Sequence, residues 1–385
     1  MRSNYKQLGN YIREVNIRNS SLKVELLLGV SIQKKFIPSI ANTIGTDMST
    51  YKIVKKNQFA YGPVTSRNGD KISIALLEDE QAIISQAYRS FEVKDKNELL
   101  PEYLMMWFKR PEFDRYARFM SHGSTREVFD WNEMCETKLP IPHIDKQREI
   151  VKEYNVLVNR INLNSQLIQK LEETAQTIYK QWFVDFEFPN ENGKPYKSNG
   201  GEMVFNEELE KDIPKSWEYE KIIDLCSIEY GKSLPKSEIL LSSNGQYDVY
   251  GAGRIIGKFN KYTKEKSSVI VGCRGSVGSM SLTSPYSFIT NNSLIFNFKE
   301  SEKFFYYYQI IFRGLDDTIS GSAQPQITIE GVSGVKLLIP AEEIIDEFNK
   351  FAECVNNNIF NNKVEIEKNV EISNILLSRL SMIKS

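Results

Sequence analysis

The feature that most constrains this chain is a duplication at long period. Gly123-Ser124 is followed by Lys138-Leu139-Pro140-Ile141-Pro142, and 198 residues later Gly321-Ser322 is followed by Lys336-Leu337-Leu338-Ile339-Pro340. The same offset carries Asn159 onto Asn357, Ile161 onto Ile359 and Asn164 onto Asn362, with no gap. A period near half of the 385 residues means two copies of one unit rather than a solenoid of short repeats.

Each copy has the same internal order. A segment of short β-rich runs and Gly, Pro and Asn turns comes first, then an Ile-Pro step, then an uninterrupted helical pattern. Lys71–Leu77, Ser268–Val271 and Ser293–Phe298 read as strands from their β-branched and aromatic content. Glu98–Phe108 and Glu302–Phe312 read as the helices that follow. The globular parts are therefore mixed α and β.

After the Ile-Pro step, apolar positions recur every three or four residues. The first series is Ile150, Tyr154, Leu157, Ile161, Asn164, Ile168, Leu171, Ala175, Ile178 and Trp182. The second is Ile345, Phe348, Ala352, Val355, Ile359, Asn362, Ile366, Asn369, Ser373, Leu376, Leu380 and Ile383. This is a heptad seam. Neither stretch contains Gly or Pro, so each predicts a helix of roughly 40 residues, about 60 Å long. Two such seams in one chain pack most economically on each other; burial in two separate cores is the other reading, and globular helices seldom reach this length. A pseudo-twofold axis relating the copies would make the pair antiparallel, with Asn164 facing Asn362 at its centre. A buried Asn pair there would fix the register.

The order of parts, and the stretches Gln181-Trp-Phe-Val-Asp-Phe-Glu-Phe-Pro189, Gly193-Lys-Pro-Tyr196, Gly200-Gly-Glu-Met203 and Ile213-Pro-Lys-Ser-Trp217, resemble the specificity subunit of Type I restriction–modification systems. The Lys-Leu-Pro-Ile-Pro run followed by Asp145-Lys-Gln-Arg-Glu-Ile150 is also typical of that family. The resemblance covers essentially the whole chain, and its motifs belong to the scaffold. One departure is that the second helix starts Ala341-Glu-Glu-Ile-Ile-Asp346, without the Lys146-Gln147 pair of the first.

The resemblance implies an α+β architecture: two mixed α/β target recognition domains in pseudo-twofold arrangement, joined by two long antiparallel coiled-coil helices. The corresponding spans are 1–142 and 213–340 for the recognition domains, 143–185 and 341–385 for the helices, and 186–212 for a central linker. Each recognition domain would read one half of a bipartite, asymmetric target in double-stranded DNA, with the helices as spacer. Two methyltransferase subunits would dock on the scaffold and two restriction-motor subunits would join them. S-adenosylmethionine, ATP and Mg would be held by those partners and no cofactor by this chain.

The residues themselves offer little chemistry. There is no G-x-x-x-x-G-K-[ST] loop and no Asn-Pro-Pro-aromatic motif. Gly251-Ala-Gly253 followed by Gly257 has the wrong spacing for G-x-G-x-x-G, and Gly272–Gly278 lacks the Lys-Ser/Thr ending, so a turn suits it better than a nucleotide cradle. Two histidines and four scattered cysteines, Cys135, Cys226, Cys273 and Cys354, predict free thiols and no metal site. The net charge of −1 excludes a purely electrostatic DNA binder but not a reader with local basic patches. No run approaches the roughly 20 apolar residues of a membrane span, and the first residues lack a signal-peptide core, which predicts a cytoplasmic protein.

DNA affinity needs Lys and Arg at phosphates, and specificity needs polar side chains at base edges. In the first copy the candidates are Thr65, Ser66, Arg67 and Asn68 in one turn-rich loop, and Ser124, Thr125 and Arg126 in another. In the second they are Arg254, Lys258 and Lys261 in the basic run 254–266, Arg274 and Ser276 in the Gly272–Gly278 loop, and Ser322, Gln324 and Gln326 at the repeat of the Gly123 loop. A glutamine amide can bind adenine with two hydrogen bonds, which singles out Gln324. Trp182 and Trp217 read as packing anchors. The competing functions are a coiled-coil tether whose globular parts bind proteins, and an autonomous DNA-modifying enzyme; the first expects no DNA dependence and the second a cofactor motif.

Overall fold

The computed structural model describes residues 5–39, 45–66, 68–123, 127–207, 210–240 and 245–383. They form two compact units, one of residues 1–163 with 365–385 and one of residues 164–364.

The first unit opens with β1 (Tyr5–Gln7), β2 (Ile12–Val15), β3 (Ile17–Arg18), β4 (Leu28–Val30) and β5 (Phe36–Pro38). Then come β6 (Lys52–Lys55), β7 (Gln58–Tyr61), β8 (Ile74–Leu76), β9 (Gln81–Ile84) and β10 (Arg89–Val93). Helices α1 (Pro101–Phe108), α2 (Pro111–Phe119) and α3 (Trp131–Glu136) precede β11 (Lys138–Pro140). The long helix α4 (Ile144–Tyr179) follows and closes in a π-helical turn at Lys180–Val184. The main sheet has the order β2-β10-β7-β8, all antiparallel, and β1 pairs with β11. Alternation sends Phe59, Tyr61 and Phe91 to one face, where α1 covers them. Phe59 and Phe91 stack at 4.8 Å and Phe108 meets both edge-on. Each such ring contributes roughly 1.5–3 kcal/mol by leaving water.

The second unit contains β12 (Met203–Asn206), β13 (Lys211–Pro214), β14 (Glu218–Lys221), the short α5 (Ile222–Leu225) and β15 (Ser227–Tyr230). Next are β16 (Tyr247–Gly251), β17 (Arg254–Phe259), β18 (Val269–Gly272), β19 (Met280–Leu282), β20 (Phe288–Ile289) and β21 (Ser293–Asn297). Helices α6 (Lys303–Arg313) and α7 (Ile329–Ser333), then β22 (Lys336–Ile339), lead to the long helix α8 (Glu342–Arg379). Its main sheet runs β15-β21-β18-β19, and β14 pairs with β22. The duplication read from the sequence is thus a duplication of topology in the main sheet and in the β1–β11 and β14–β22 pairs, whereas the smaller sheets differ: β3-β6-β9 and β4-β5 in the first unit, β17-β16-β20 and β12-β13 in the second. The sequence-derived strands and the two helices after them fall on β8, β18, β21, α1 and α6. No helix is expected from the sequence at α2; 198 residues on, 309–317 fall in the end of α6 and in the 3-10 helix at Asp316–Thr318, so among the described residues the second unit has no separate α-helix there.

Both long helices form as their seams predict. Every position of both heptad series is buried or half-buried, and the residues between them in the middle of α4 are exposed. In the first unit the start of α4, through Tyr154 and Val158, shares a core with Leu377 at the end of α8 and with Leu380 and Ile383 just beyond it. Arg160 and Glu365 form an ion pair at 2.5 Å. In the second unit the end of α4, through Ala175, Tyr179 and Trp182, packs with Phe348 and Ala352 at the start of α8. The helices therefore run antiparallel.

The aromatic run after α4 turns inward. Trp217 is buried between Phe183, Phe186 and Phe188, with Phe188 stacked on it at 5.0 Å. Trp182 and Trp217 are packing anchors, and the four cysteines are free. Among the described residues no helix is long and apolar enough to cross a membrane.

Candidate DNA interface

In each unit two loops meet at one edge of the main sheet. In the first they are the β7–β8 loop and the loop between α2 and α3. His122 N–H donates to the Val128 carbonyl (3.2 Å) and Val128 N–H to the His122 carbonyl (2.9 Å), closing the second loop on itself. Phe129 N–H donates to the Pro63 carbonyl at 2.8 Å, joining the two loops. In the second unit Ser320 and Gln326 exchange the same pair of bonds, each 2.9 Å, and Ile327 N–H donates to the Cys273 carbonyl at 3.1 Å. Residue for residue, these donors and the loop-closing acceptors lie 198 positions apart. Next comes the cap of a short helix in both cases. Asp130 accepts from Asn132 N–H and Glu133 N–H at the start of α3, and Thr328 from Gly331 N–H at the start of α7. Gly123 and Gly321 both take positive φ, 138° and 88°, which lets the chain leave the bridge and return within six residues.

The sequence-derived candidates divide over this frame. Ser66 is exposed on the β7–β8 loop, whereas Thr65 is buried, with its N–H and its hydroxyl both directed at the Glu127 carbonyl (3.0 and 3.3 Å). Asn68 is half-buried and its amide reaches the Val64 carbonyl at 3.4 Å. Thr65 and Asn68 thus hold the loop's shape. Arg67, Ser124, Thr125 and Arg126 lie outside the described residues.

In the second unit, Arg274 is exposed and Ser276 half-buried in the β18–β19 loop, and Ser322 and Gln324 are exposed in the neighbouring loop. Gln326 is half-buried and contributes its backbone to the closing bridge. The β16–β17 turn joins them. A Cβ on Gly253 (φ 77°) would collide with the Ser279 carbonyl, so only glycine allows the turn to approach that loop. The turn presents Arg254, which is exposed. Lys232, Asn291 and Asn292, none of them singled out from sequence, complete the edge. Asn291 N–H donates to the Lys232 carbonyl (3.1 Å) and Cys273 N–H to the Asn292 carbonyl (2.8 Å). All three side chains are exposed.

The basic run 254–266 does not act as one surface. Lys258 pairs with Asp248 at 2.9 Å, with both side chains largely buried. Lys264 pairs with Glu229 at 2.6 Å and donates to Asn297 at 3.1 Å. Lys261 is exposed, but it lies beyond the opposite end of β17 from Arg254, roughly 20 Å along the strand direction.

Asn164 and Asn362 are both half-buried. The Asn362 amide donates to the Asn358 carbonyl of its own helix at 2.8 Å.

The Gly272–Gly278 loop joins two strands and does not start a helix, so it is not the helix-opening loop of a P-loop-type phosphate cradle. Among the described residues no three His, Cys, Asp or Glu side chains converge on a possible metal position.

Residues 30–173 and 214–371 match the family model described as the Type I restriction modification DNA specificity domain, one match in each copy. The chain belongs to that family. It is 24% identical to the Type I restriction enzyme HindI specificity subunit of Haemophilus influenzae, over 91% of this chain and 92% of that one. It is 25% identical to the MjaIX specificity subunit of Methanocaldococcus jannaschii, over 77% of this chain and 71% of the other. Its fold matches the crystal structure of the S subunit of a Type I system from M. genitalium with a TM-score of 0.60 at 16% identity, covering 99% and 96% of the two chains. A Type I specificity subunit is the DNA target-recognition component of its restriction–modification complex and is not itself catalytic. The tether and autonomous-enzyme readings therefore fall away.

Proposed function

We propose that each unit reads one half of a bipartite, asymmetric target in double-stranded DNA, using the loop pair at its sheet edge. Residues 1–142 and 213–340 supply the two readers, and 186–212 links them. The antiparallel helices set the distance between half-sites and dock two methyltransferase subunits, with the Asn164 and Asn362 amides fixing register. Two restriction-motor subunits complete the complex. S-adenosylmethionine, ATP and Mg belong to the partners, no cofactor is held by this chain, and the assembly works in the cytoplasm.

The observation that carries this reading is the recurrence of one loop pair, closed by the same hydrogen bonds, at both copies, with different side chains on each. A shared frame with unlike exposed residues is what two different half-sites require. In the first copy the exposed Ser66 and the neighbouring residues 67 and 124–126 would meet DNA. In the second, Arg254 and Arg274 suit phosphate or guanine, and Gln324, Asn291 and Asn292 suit adenine. Lys258 and Lys261 take no part in this edge.

The test is sequencing of methylated adenine in cells that carry this chain with its methyltransferase partner. The expected result is a single bipartite motif that appears only with this chain. Ser66→Ala should alter one half of the motif and Gln324→Ala the other, each by roughly 1–3 kcal/mol of discrimination at the base involved. A motif that ignores both variants would refute the assignment of the edges.

A further inference from the structure

Among the described residues the second unit has no separate α-helix to match α2, and the outer side of α2 carries one large exposed ring beside the charged Glu112 and Arg115. Phe113, Asp114 and Ala117 turn inward. Arg115 and Phe119, one turn apart on the outer side, are exposed, and Phe119 is 80% exposed. Single exposed apolar residues are ordinary. What sets this one apart is how firmly its helix is fixed to both loops of the proposed DNA edge. The Asp114 carboxylate accepts from Ile72 N–H (3.1 Å) and from the Lys34 ammonium (2.5 Å), and Lys34 also donates to the Ile72 carbonyl (2.7 Å). Ile72 is where the β7–β8 loop returns toward β8. At the other end Arg118 pairs with Glu127, whose carbonyl receives Thr65 N–H. Ser121, the residue that begins the second loop, donates its hydroxyl to the Ala117 carbonyl at 2.6 Å.

Phe119 is therefore held in fixed register with Ser66 on one loop and His122 on the other. We propose that Phe119 is a specificity-determining residue of the first half-site. Its ring packs against the apolar surface of the bases, and Arg115 on the same stripe meets a backbone phosphate. Apolar side chains read DNA by contact with thymine methyl groups or by wedging a base step. Arg115 pairs with Glu112 on its own helix at 3.4 Å, but both side chains are exposed, so the guanidinium can exchange that weak pair for a phosphate, which an apolar protein partner would not offer. This inference rests on the proposed DNA edge and adds to it a helix that the second unit lacks.

The test uses the assembled methyltransferase complex, with the motif read by sequencing methylated adenine and affinity measured on duplexes that carry it. Phe119→Ala is expected to keep the melting temperature, because the ring is exposed. It should relax discrimination roughly fivefold or more at one or two positions of the half-site that also responds to Ser66→Ala, leaving the other half-site unchanged. Arg115→Ala should weaken binding to all duplexes alike and reduce the slope of log affinity against log salt by about one. If Ser66→Ala and Gln324→Ala each shift a half-site but Phe119→Ala changes neither motif nor affinity, this inference is overturned and the edges stand. If none of the three shifts the motif, the edge assignment itself has failed.

Discussion

The two units perform the same structural task with different atoms, and the first turn of α1 compared with that of α6 shows how. In the first unit the fully buried Gln147 accepts from Leu100 N–H (2.9 Å) and donates to the carbonyls of Glu98 (2.8 Å) and Pro142 (2.9 Å). The position 198 residues on is Ile345, buried in the core of the second unit. There Asn349, one helical turn later, accepts from Phe304 N–H (2.9 Å) and donates to the Glu300 carbonyl (3.3 Å). The departure at the start of the second helix is thus offset from a neighbouring turn. A helix N-terminus buried under another helix needs an acceptor for its free N–H groups. The fold fixes that need, while which amide meets it depends only on reach. The exposed edges differ for another reason: no internal hydrogen-bonding demand ties them, so their side chains can differ freely between half-sites.

The sharpest way to break the equivalence is at the brace of α2, for which the second unit has no counterpart. Burial pushes the Lys34 ammonium below the usual lysine range, and Asp114 offsets this only in part. Asp114→Ala would leave that ammonium buried and the Ile72 N–H without its acceptor. The expected loss is about 3–5 kcal/mol, read as a fall in the urea midpoint of the chain. A base with a lowered folded-state pKa disfavours folding while it is protonated, and that penalty fades as pH rises through the interval between its folded and unfolded values. The deficit of the variant should therefore shrink at alkaline pH. Asp248→Ala, which breaks the Lys258 pair of the second unit, should cost less, about 1–3 kcal/mol, because the Lys258 ammonium it strands is more exposed than that of Lys34 (16% against 7% of the side chain) and no backbone N–H loses its acceptor. Equal losses in the two variants would show that α2 is not specially braced.

The amide braces give a smaller contrast of the same kind. Gln147→Ala strands three backbone groups and Asn349→Ala two, so losses of about 3 and 2 kcal/mol are expected. Hydrogen exchange provides a local check. The amide of Leu100 should lose protection in the first variant only, and that of Phe304 in the second only. Exchange that rises at both sites in either variant would mean that the two braces do not act separately.

Much of this frame was legible in the sequence because it is periodic. The heptad series depends on residues three and four apart, so both long helices and their buried faces followed from local spacing. The duplication located the loop that ends in a bridge at Val128 and again at Gln326. What stayed hidden depends on partners distant in sequence. Nothing near Lys258 or Lys264 announces Asp248 across the β16–β17 hairpin or Glu229 on β15, and these carboxylates dissolve the apparent basic surface of 254–266. Lys232, Asn291 and Asn292 reach the edge only through strand order. Thr65 looked like a base reader because its type is right, and only the approach of Glu127 shows that its hydroxyl is occupied. Helix α2 did leave a local signal, in Arg110-Pro111-Glu112 followed by Asp114, with proline at the first position and acids in the first turn, but at nine residues it carries too few turns for periodicity to stand out.

The finest comparison is between the two caps that follow the loops. Asp130 accepts two backbone N–H groups at the start of α3 and Thr328 one at the start of α7. A carboxylate also meets the positive end of its helix, which a hydroxyl cannot do as a charge. Asp130→Ala should then cost about 1–1.5 kcal/mol and Thr328→Ala about 0.5–1 kcal/mol, measured as shifts in the urea midpoint. The exchange Asp130→Thr should fall between wild type and Asp130→Ala, since it keeps one cap bond and gives up the charge. The same cap residues anchor the C-terminal side of each reading loop, so a larger loss at Asp130 would also loosen the first edge more than the second. If Thr328→Ala proved the costlier of the two, the second loop would depend on its cap for more than the one hydrogen bond to Gly331.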